Sequence, residues 1–180
     1  MLCTIKIIGD DRAILKTALV DRALTFNRNY ARGWHASSFL RLWAGQTDIA
    51  IEHAGIALRL SPRAQASNNS WAIGAALFFS RRFEEAIPRL CVAVEERPIF
   101  ATPYRILAAC YAHMGLLAEA QATVARLRTL TSEVIPTYPL PFREPAHREL
   151  YYSGLRLALG EEAVAGGAAS PGSEPSRLPL

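Results

Sequence analysis

The chain has 180 residues, of which 51% are hydrophobic and 20% charged, a balance that predicts one globular domain with a buried core. Its net charge of +4 comes from scattered basic residues, which argues against a nucleic-acid-binding protein. The longest apolar run, residues 71–79, is too short to span a membrane, and the N-terminus shows no secretory-signal pattern. Cys3, Cys91 and Cys110 form no C-x-x-C pair, which predicts reduced thiols in a cytoplasmic protein.

The first segment of the chain fits no repeat pattern, so residues 1–11 are predicted as an irregular leader. A helix is expected from about residue 11 to Phe26. It corresponds to the second half of a helix pair whose first half is missing, as if the frame began inside a longer array. The apolar residues expected on one face of this helix are Leu15, Val20, Ala23 and Leu24.

Three predicted helix pairs follow, and their corresponding residues recur at steps of 36 and 34. The clearest set is Ala50, Ala86 and Ala120, small residues that let two helix backbones cross closely. Pro62 and Pro98 recur at the same step and end the second helices, since proline lacks an N–H. The expected pairs are 31–43 with 47–60, 67–80 with 83–96, and 101–114 with 117–130.

The C-terminal part of the chain changes character after the third pair. Residues 131–144 contain three prolines and are predicted to form an extended connector. Pro145 suits the first turn of a last helix that ends near Gly160 and is expected to cap the stack. Residues 161–180 are rich in Ala, Gly, Ser and Pro and are expected to form a disordered tail.

The repeated pattern resembles the tetratricopeptide repeat (TPR), in which an aromatic residue, Leu, a small residue and Tyr precede Ala-x3-large and Pro over about 34 residues. The third pair matches best, with Gly115 at its turn. The first pair departs from the pattern at Ser37 and Arg41, and the second has Arg81 in place of the turn glycine. The expected fold is therefore an all-α solenoid of about three helix pairs, with a leading half-repeat helix and a C-terminal capping helix.

A more particular resemblance lies in four stretches that cover most of the chain. They are similar to the C-terminal tetratricopeptide region of bacterial class III adenylate/guanylate cyclase-type proteins. This resemblance implies a scaffold that follows a cyclase domain in relatives, without implying that this chain makes a cyclic nucleotide. The stretches are residues 33–63, 78–90, 103–120 and 147–161.

The tetratricopeptide resemblance also implies where a partner would bind. In that fold the first helix of each pair lines a concave groove, and here the corresponding positions are rich in aromatic residues, with arginine at both ends. The candidate peptide contacts are Arg32, His35, Phe39, Trp43, Trp71, Phe78, Phe79, Arg105 and His113. The other groove positions are Leu42, Asn68, Ala75, Thr102, Ala109 and Ala112. Whether some of these aromatic residues belong to the core stays open.

The sequence contains no recognisable catalytic, cofactor-binding or metal-binding set. Its four histidines are dispersed, and Cys110 with His113 is better explained by packing than by a thiol–imidazole pair. We therefore expect a non-catalytic scaffold that binds a protein or peptide in its groove, without nucleic acid, membrane or cofactor. The alternative is a truncated regulatory region of a cyclase-type signalling protein, and self-association stays open.

Overall fold

The computed structural model describes residues 2–63, 66–138 and 140–161. This part of the chain contains eight α-helices and no β-strand, which confirms the all-α prediction. The helices are α1 (Leu2–Phe26), α2 (Ala31–Trp43), α3 (Thr47–Leu60), α4 (Ala66–Phe79), α5 (Phe83–Glu96), α6 (Ala101–His113), α7 (Leu117–Arg128) and α8 (Pro145–Ala158).

The helices form an α-solenoid in which each element from α1 to α7 packs on its successor in the chain. Within the three pairs, α2 packs on α3, α4 on α5, and α6 on α7. The first helices also touch one another, α2 with α4 and α4 with α6, so they form one continuous layer. We call the surface of this layer that faces away from the second helices the groove, following the usual tetratricopeptide arrangement.

The turn inside each helix pair has the same geometry in all three pairs. Its left-handed residue is Gly45 in the first pair, Arg81 in the second and Gly115 in the third, with φ angles of 82°, 58° and 76°. In each turn the next residue's N–H bonds to a carbonyl five residues earlier, at 2.9 Å. The substitution at Arg81 therefore leaves the turn intact, although a non-glycine residue is strained in this conformation.

The predicted close crossings are present in the structure. Ala50, Ala86 and Ala120 are all fully buried, as their spacing predicted. Gly74 of α4 extends this close packing, since a Cβ there would lie 2.7 Å from Cγ of Leu90. Small residues on one helix thus face large apolar residues on the next, which is how the stack buries its core.

The two departures from the repeat in the first pair are explained by polar contacts. Arg41 donates a 2.6 Å hydrogen bond to the carboxylate of Asp21, and this ion pair ties α2 to α1. Ser37 is fully buried and shares a 2.9 Å hydrogen bond with Nδ1 of His53 on α3. These positions therefore hold neighbouring helices together by hydrogen bonds where other repeats use apolar packing.

The N-terminal helix begins earlier than expected. The irregular leader predicted for residues 1–11 is incorrect over residues 2–11, because α1 already begins at Leu2. The physical reason is that no proline interrupts the segment, and extending an existing helix adds one hydrogen bond per residue without a new nucleation cost.

The face of α1 that was expected to be apolar is only partly covered. Leu24 is buried and Val20 is half-buried, whereas Leu15 and Ala23 are exposed. The reason is that α1 packs on α2 alone among the described helices. Ala57, which lies 34 residues after Ala23, is buried because its own pair supplies a partner helix.

The remaining helix bounds lie close to those expected. The last helix ends at Ala158, two residues before the predicted end. Pro88 lies inside α5 and is exposed, so its ring faces solvent. The expected disordered tail falls on residues 162–180, which lie outside the described residues, and on Glu161, which is not helical.

The last helix occupies an unexpected place. It packs mainly on α6, with smaller contacts to α7 and α4. Of the preceding pair, the first helix of a further repeat would have packed mainly on α7, as α4 packs more on α3 than on α2 and α6 more on α5 than on α4. The helix α8 therefore lies over the groove layer, and this position decides the character of the candidate site.

Candidate functional site

The groove is occupied by the chain's own C-terminal segment, residues 131–161. Residues 131–144, which we call the connector, cross the groove from the end of α7 towards α2. At the far side the backbone N–H of Arg143 donates a 3.2 Å hydrogen bond to the carbonyl of Trp43. The chain then turns at Pro145 into α8, which returns across α4 and α6.

Arg105, a predicted peptide contact on α6, holds the start of the connector. Its Nε donates a 2.9 Å hydrogen bond to the carbonyl of Val134, and a terminal nitrogen donates a 2.8 Å bond to the carbonyl of Glu133. The side chain is only 6% exposed. A buried guanidinium that binds two successive carbonyls holds the backbone where the connector bends at Val134, and charge-assisted bonds of this kind are stronger than neutral ones.

An aromatic cluster holds the far end of the connector. Phe142 contacts three rings, those of Trp43 on α2, Phe79 on α4 and Tyr151 on α8, with centroid distances of 5.4, 5.4 and 5.5 Å. Tilted and edge-on arrangements at such distances are favourable for aromatic pairs. Two of the predicted groove aromatics therefore bind an aromatic side chain, although that side chain belongs to the same molecule.

The helix α8 makes close contacts with the C-terminal ends of α4 and α6. His147 stacks on Phe79 with the ring centroids 4.8 Å apart, and Nε2 of His113 donates a 2.8 Å hydrogen bond to the carbonyl of Leu150. A Cβ at Gly154 would lie 2.7 Å from Cβ of Ala109. This glycine therefore allows α8 to approach α6 more closely than any other residue would permit.

The N-terminal end of the groove differs from the rest. Arg32 is exposed, while His35 and Phe39 are half-buried. Nδ1 of His35 donates a 2.8 Å hydrogen bond to Oδ1 of Asn69, and burial lowers the pKa of His35 despite this bond. Phe39 bridges the His35 and Trp71 rings at 4.7 and 4.8 Å. This end of the groove presents a cation and two aromatic rings.

Phe78 belongs to the core. It has no exposed surface and packs against the neighbouring rings of Phe79 and Phe83. The small and aliphatic groove positions share this burial, which supports the alternative that part of the predicted groove is interior packing. The buried members of that set are Leu42, Ala75, Ala109 and Ala112.

A cavity of about 210 Å³ lies between the groove and the connector. Its floor includes Trp43, Trp71 and Phe79, and its roof includes Tyr138, Leu140 and Phe142. Trp71 is 2% exposed, and its indole N–H has no acceptor among the described residues. The side chains that form the roof were not predicted as site residues, although the three prolines and the apolar residues of the connector were a signal for them.

Several solved structures have a similar fold. The fold is that of a tetratricopeptide α-solenoid. YrrB, a TPR protein with an unusual peptide-binding site, aligns at 18% identity and a TM-score of 0.58, over 87% of this chain and 81% of YrrB. MamA aligns at 18% identity and a TM-score of 0.61, over 86% of this chain and 94% of MamA. TTC0263, a thermophilic TPR protein of Thermus thermophilus, aligns at 18% identity and a TM-score of 0.62, over 87% of this chain and 79% of TTC0263.

No protein-family model matches the chain, and no curated protein matches it. At such low sequence identity the solved structures establish the tetratricopeptide fold and nothing finer.

The tetratricopeptide array offers little for catalysis in its described residues. Cys110 is fully buried and burial raises the pKa of its thiol, which disfavours the reactive thiolate. His113, the other half of the thiol–imidazole pair considered above, is engaged with Leu150. Within the described ranges no group of three His, Cys, Asp or Glu side chains could hold a metal ion, and no helix has the length and hydropathy needed to cross a membrane.

Proposed function

We propose that this chain is a non-catalytic interaction scaffold that binds an extended peptide in its groove, in competition with its own connector. The observation that carries this proposal is the pair of hydrogen bonds from Arg105 to the carbonyls of Glu133 and Val134. They involve only backbone atoms of the bound segment. A peptide of any sequence that can adopt the same bend offers the same carbonyls, so the groove has the means to bind a segment of another protein.

The connector indicates what chemistry such a partner needs. Its side chains at the aromatic end of the groove are apolar or aromatic, with Phe142 between Trp43 and Phe79. The partner we propose is therefore an extended, proline-tolerant segment with a phenylalanine or leucine about eight residues after the backbone that Arg105 holds, matching the step from Val134 to Phe142. YrrB, with its peptide-binding site, supports the idea that this fold can serve such a function.

The other predicted contacts extend the proposed site. Arg32, His35 and Phe39 lie at the open N-terminal end, where a longer peptide would continue past the connector. An exposed Arg32 suits a carboxylate in the partner. A role beside a nucleotide cyclase, and a cytoplasmic location, rest on the sequence patterns alone.

The experiment uses a fluorescein-labelled peptide of residues 131–144 and the full chain. Phe142→Ala removes the aromatic anchor of the connector and raises the fraction of molecules with an open groove. The apparent dissociation constant is the intrinsic one divided by that fraction, so we expect the variant to bind the peptide about tenfold or more tightly than the unmodified chain. Phe26→Ala on α1, where the ring is 79% exposed, is the matched control and should behave like the unmodified chain.

Two outcomes would overturn the proposal. In the first, hydrogen exchange shows a released connector in Phe142→Ala, and yet the peptide does not bind; the groove then holds only its own segment. In the second, both proteins bind the peptide with equal affinity, which would place the binding surface outside the groove.

A further inference from the structure

The cavity beneath the connector is a separate feature from the groove surface that holds the connector. It has a volume of about 210 Å³, and no described side chain fills it. An apolar protein cavity of roughly 150 Å³ is large enough to hold a benzene molecule. The space is therefore sufficient for a six-membered ring with a small substituent.

The walls of this cavity are unusually rich in aromatic rings. Trp71 of its floor lies 6.4 Å from Trp43 and 6.0 Å from Phe100 between ring centroids, and Phe142 of its roof lies 5.4 Å from Phe79. These rings are tilted relative to each other, so they present both faces and edges. An aromatic ring placed among them could contact several at the 4.5–7 Å that aromatic pairs prefer, about the spacing already seen here.

The electrostatic surroundings select against charged molecules. No residue in the lining is a carboxylate, an amine or a guanidinium. Tyr151, one of the lining residues, feels the positive charge of Arg105, which acts against the effect of burial on its pKa. An ion of either sign would lose its hydration in this cavity without a counter-ion in contact. A neutral molecule has no such hydration to lose.

We infer that this cavity is a binding site for a small neutral molecule that carries an aromatic ring, held between the groove floor and the connector. The site exists only while the connector covers the groove, since Tyr138, Leu140 and Phe142 form its roof.

The test compares three probes by calorimetry and ligand-observed NMR with the full chain. Acetophenone has a neutral aromatic ring and a carbonyl acceptor, and we expect it to bind at one site. Cyclohexyl methyl ketone keeps the carbonyl but lacks the aromatic ring, so it should bind about three- to tenfold more weakly, the factor expected for lost ring–ring contacts. Trimethylanilinium keeps the ring but adds a charge, and it should bind more weakly than acetophenone, because the ring faces offset only part of its lost hydration.

Variants test whether acetophenone binds in the cavity. Thr102 lies in the lining on α6, and Thr102→Leu should reduce acetophenone affinity about tenfold or more by occupying part of the space. Thr123→Leu makes the same change on α7, outside the cavity, and should leave binding unchanged. Leu140→Phe fills the cavity from the roof and repeats the test should the first variant disturb α6.

The inference fails if acetophenone does not bind, or if either the ketone or the cation binds as tightly as acetophenone. It also fails if both cavity-filling variants keep the affinity of the unmodified chain. Because none of these readouts uses a peptide, they are independent of the proposed groove function.

Discussion

Arg105 on α6 and Val134 in the connector are joined by a 2.9 Å hydrogen bond from Nε to the carbonyl oxygen. The two residues are 29 positions apart in the chain, and the arginine is buried. A side chain that the repeat pattern predicted as a peptide contact thus already binds a backbone, supplied by the same molecule. The same chain therefore contains both the groove and the connector that occupies it.

Replacing Arg105 with lysine tests how strongly this contact holds the connector. Lysine keeps the charge but cannot direct two fixed N–H groups at successive carbonyls. We expect a loss of about 1–3 kcal/mol in the free energy of unfolding, measured by urea denaturation, with faster hydrogen exchange in residues 131–144. The exposed Arg126 provides the control, and Arg126→Lys should change stability by less than about 0.5 kcal/mol. Equal effects of the two substitutions would show that the hydrogen bonds contribute nothing specific.

Two helical glycines should respond in opposite ways to alanine. At Gly74 a Cβ would lie 2.7 Å from Cγ of the buried Leu90, so Gly74→Ala should destabilise the fold by about 1–3 kcal/mol. At Gly55 the nearest heavy atom is the flexible end of Arg59 at 3.6 Å, so Gly55→Ala should stabilise it by about 0.5–1 kcal/mol through helix propensity. Thermal unfolding of both variants measures the difference. A stabilising Gly74→Ala would mean that α4 and α5 cross less closely than described.

Burial of histidines should make stability depend on pH. Burial lowers the pKa of His35, His53 and His147 below the ordinary value of 6.5. Below about pH 6.5 the unfolded chain therefore binds more protons than the folded chain, so this contribution to stability is complete above that pH and is lost as the pH falls.

We expect urea-unfolding free energies to decrease between about pH 7.5 and 5.5, and His147→Gln to make the decrease smaller. The charges around His147 include that of Glu144, which acts to raise its pKa against burial. Arg148→Gln, at the neighbouring exposed position, serves as the control and should keep the slope of the unmodified chain. A slope that does not change in His147→Gln would show that α8 holds this ring in a solvated position.

Cys110 should be chemically inert while the protein is folded. Because burial raises the pKa of its thiol, the neutral form dominates at neutral pH, and the side chain has no exposed surface. In a chain with Cys3→Ser and Cys91→Ser, alkylation by iodoacetamide should be about a hundredfold or more slower in buffer than in urea, since it requires local opening. Rapid alkylation of the folded protein would contradict the buried placement and reopen the thiol–imidazole pair with His113.

Much of the fold could be predicted because each repeat is marked by residue types at fixed positions within a short segment. The step between Ala50 and Ala86 follows from the length of one helix pair, and the glycines at positions 45 and 115 mark left-handed turns. The turn at Arg81 was visible only through its spacing, because its residue type argues against that conformation. The helical conformation of residues 2–11 was not predicted, because local sequence pattern is a poor guide to the terminal residues of a helix.

The candidate site could be predicted only in part. Repeat spacing placed Trp43, Phe79 and Arg105 on the helices that form the groove, and the structure has them there. It could not show that Phe142 contacts the first two, or that the third binds Val134. Those contacts join residues about 30 to 100 positions apart, and no periodicity relates a proline-rich connector to the helices it crosses.

The sequence by itself determined the all-α solenoid and the registers of its three pairs, since these follow from helix periodicity and close crossings between neighbouring elements. Only the tertiary structure decided what lies in the groove. Residues 131–161 could have extended the stack, and instead α8 packs on α6 through the close approach of Gly154 to Ala109. The packing of α8 on α6 depends on how well two surfaces distant in the sequence fit each other, and no single segment of the chain reveals that fit.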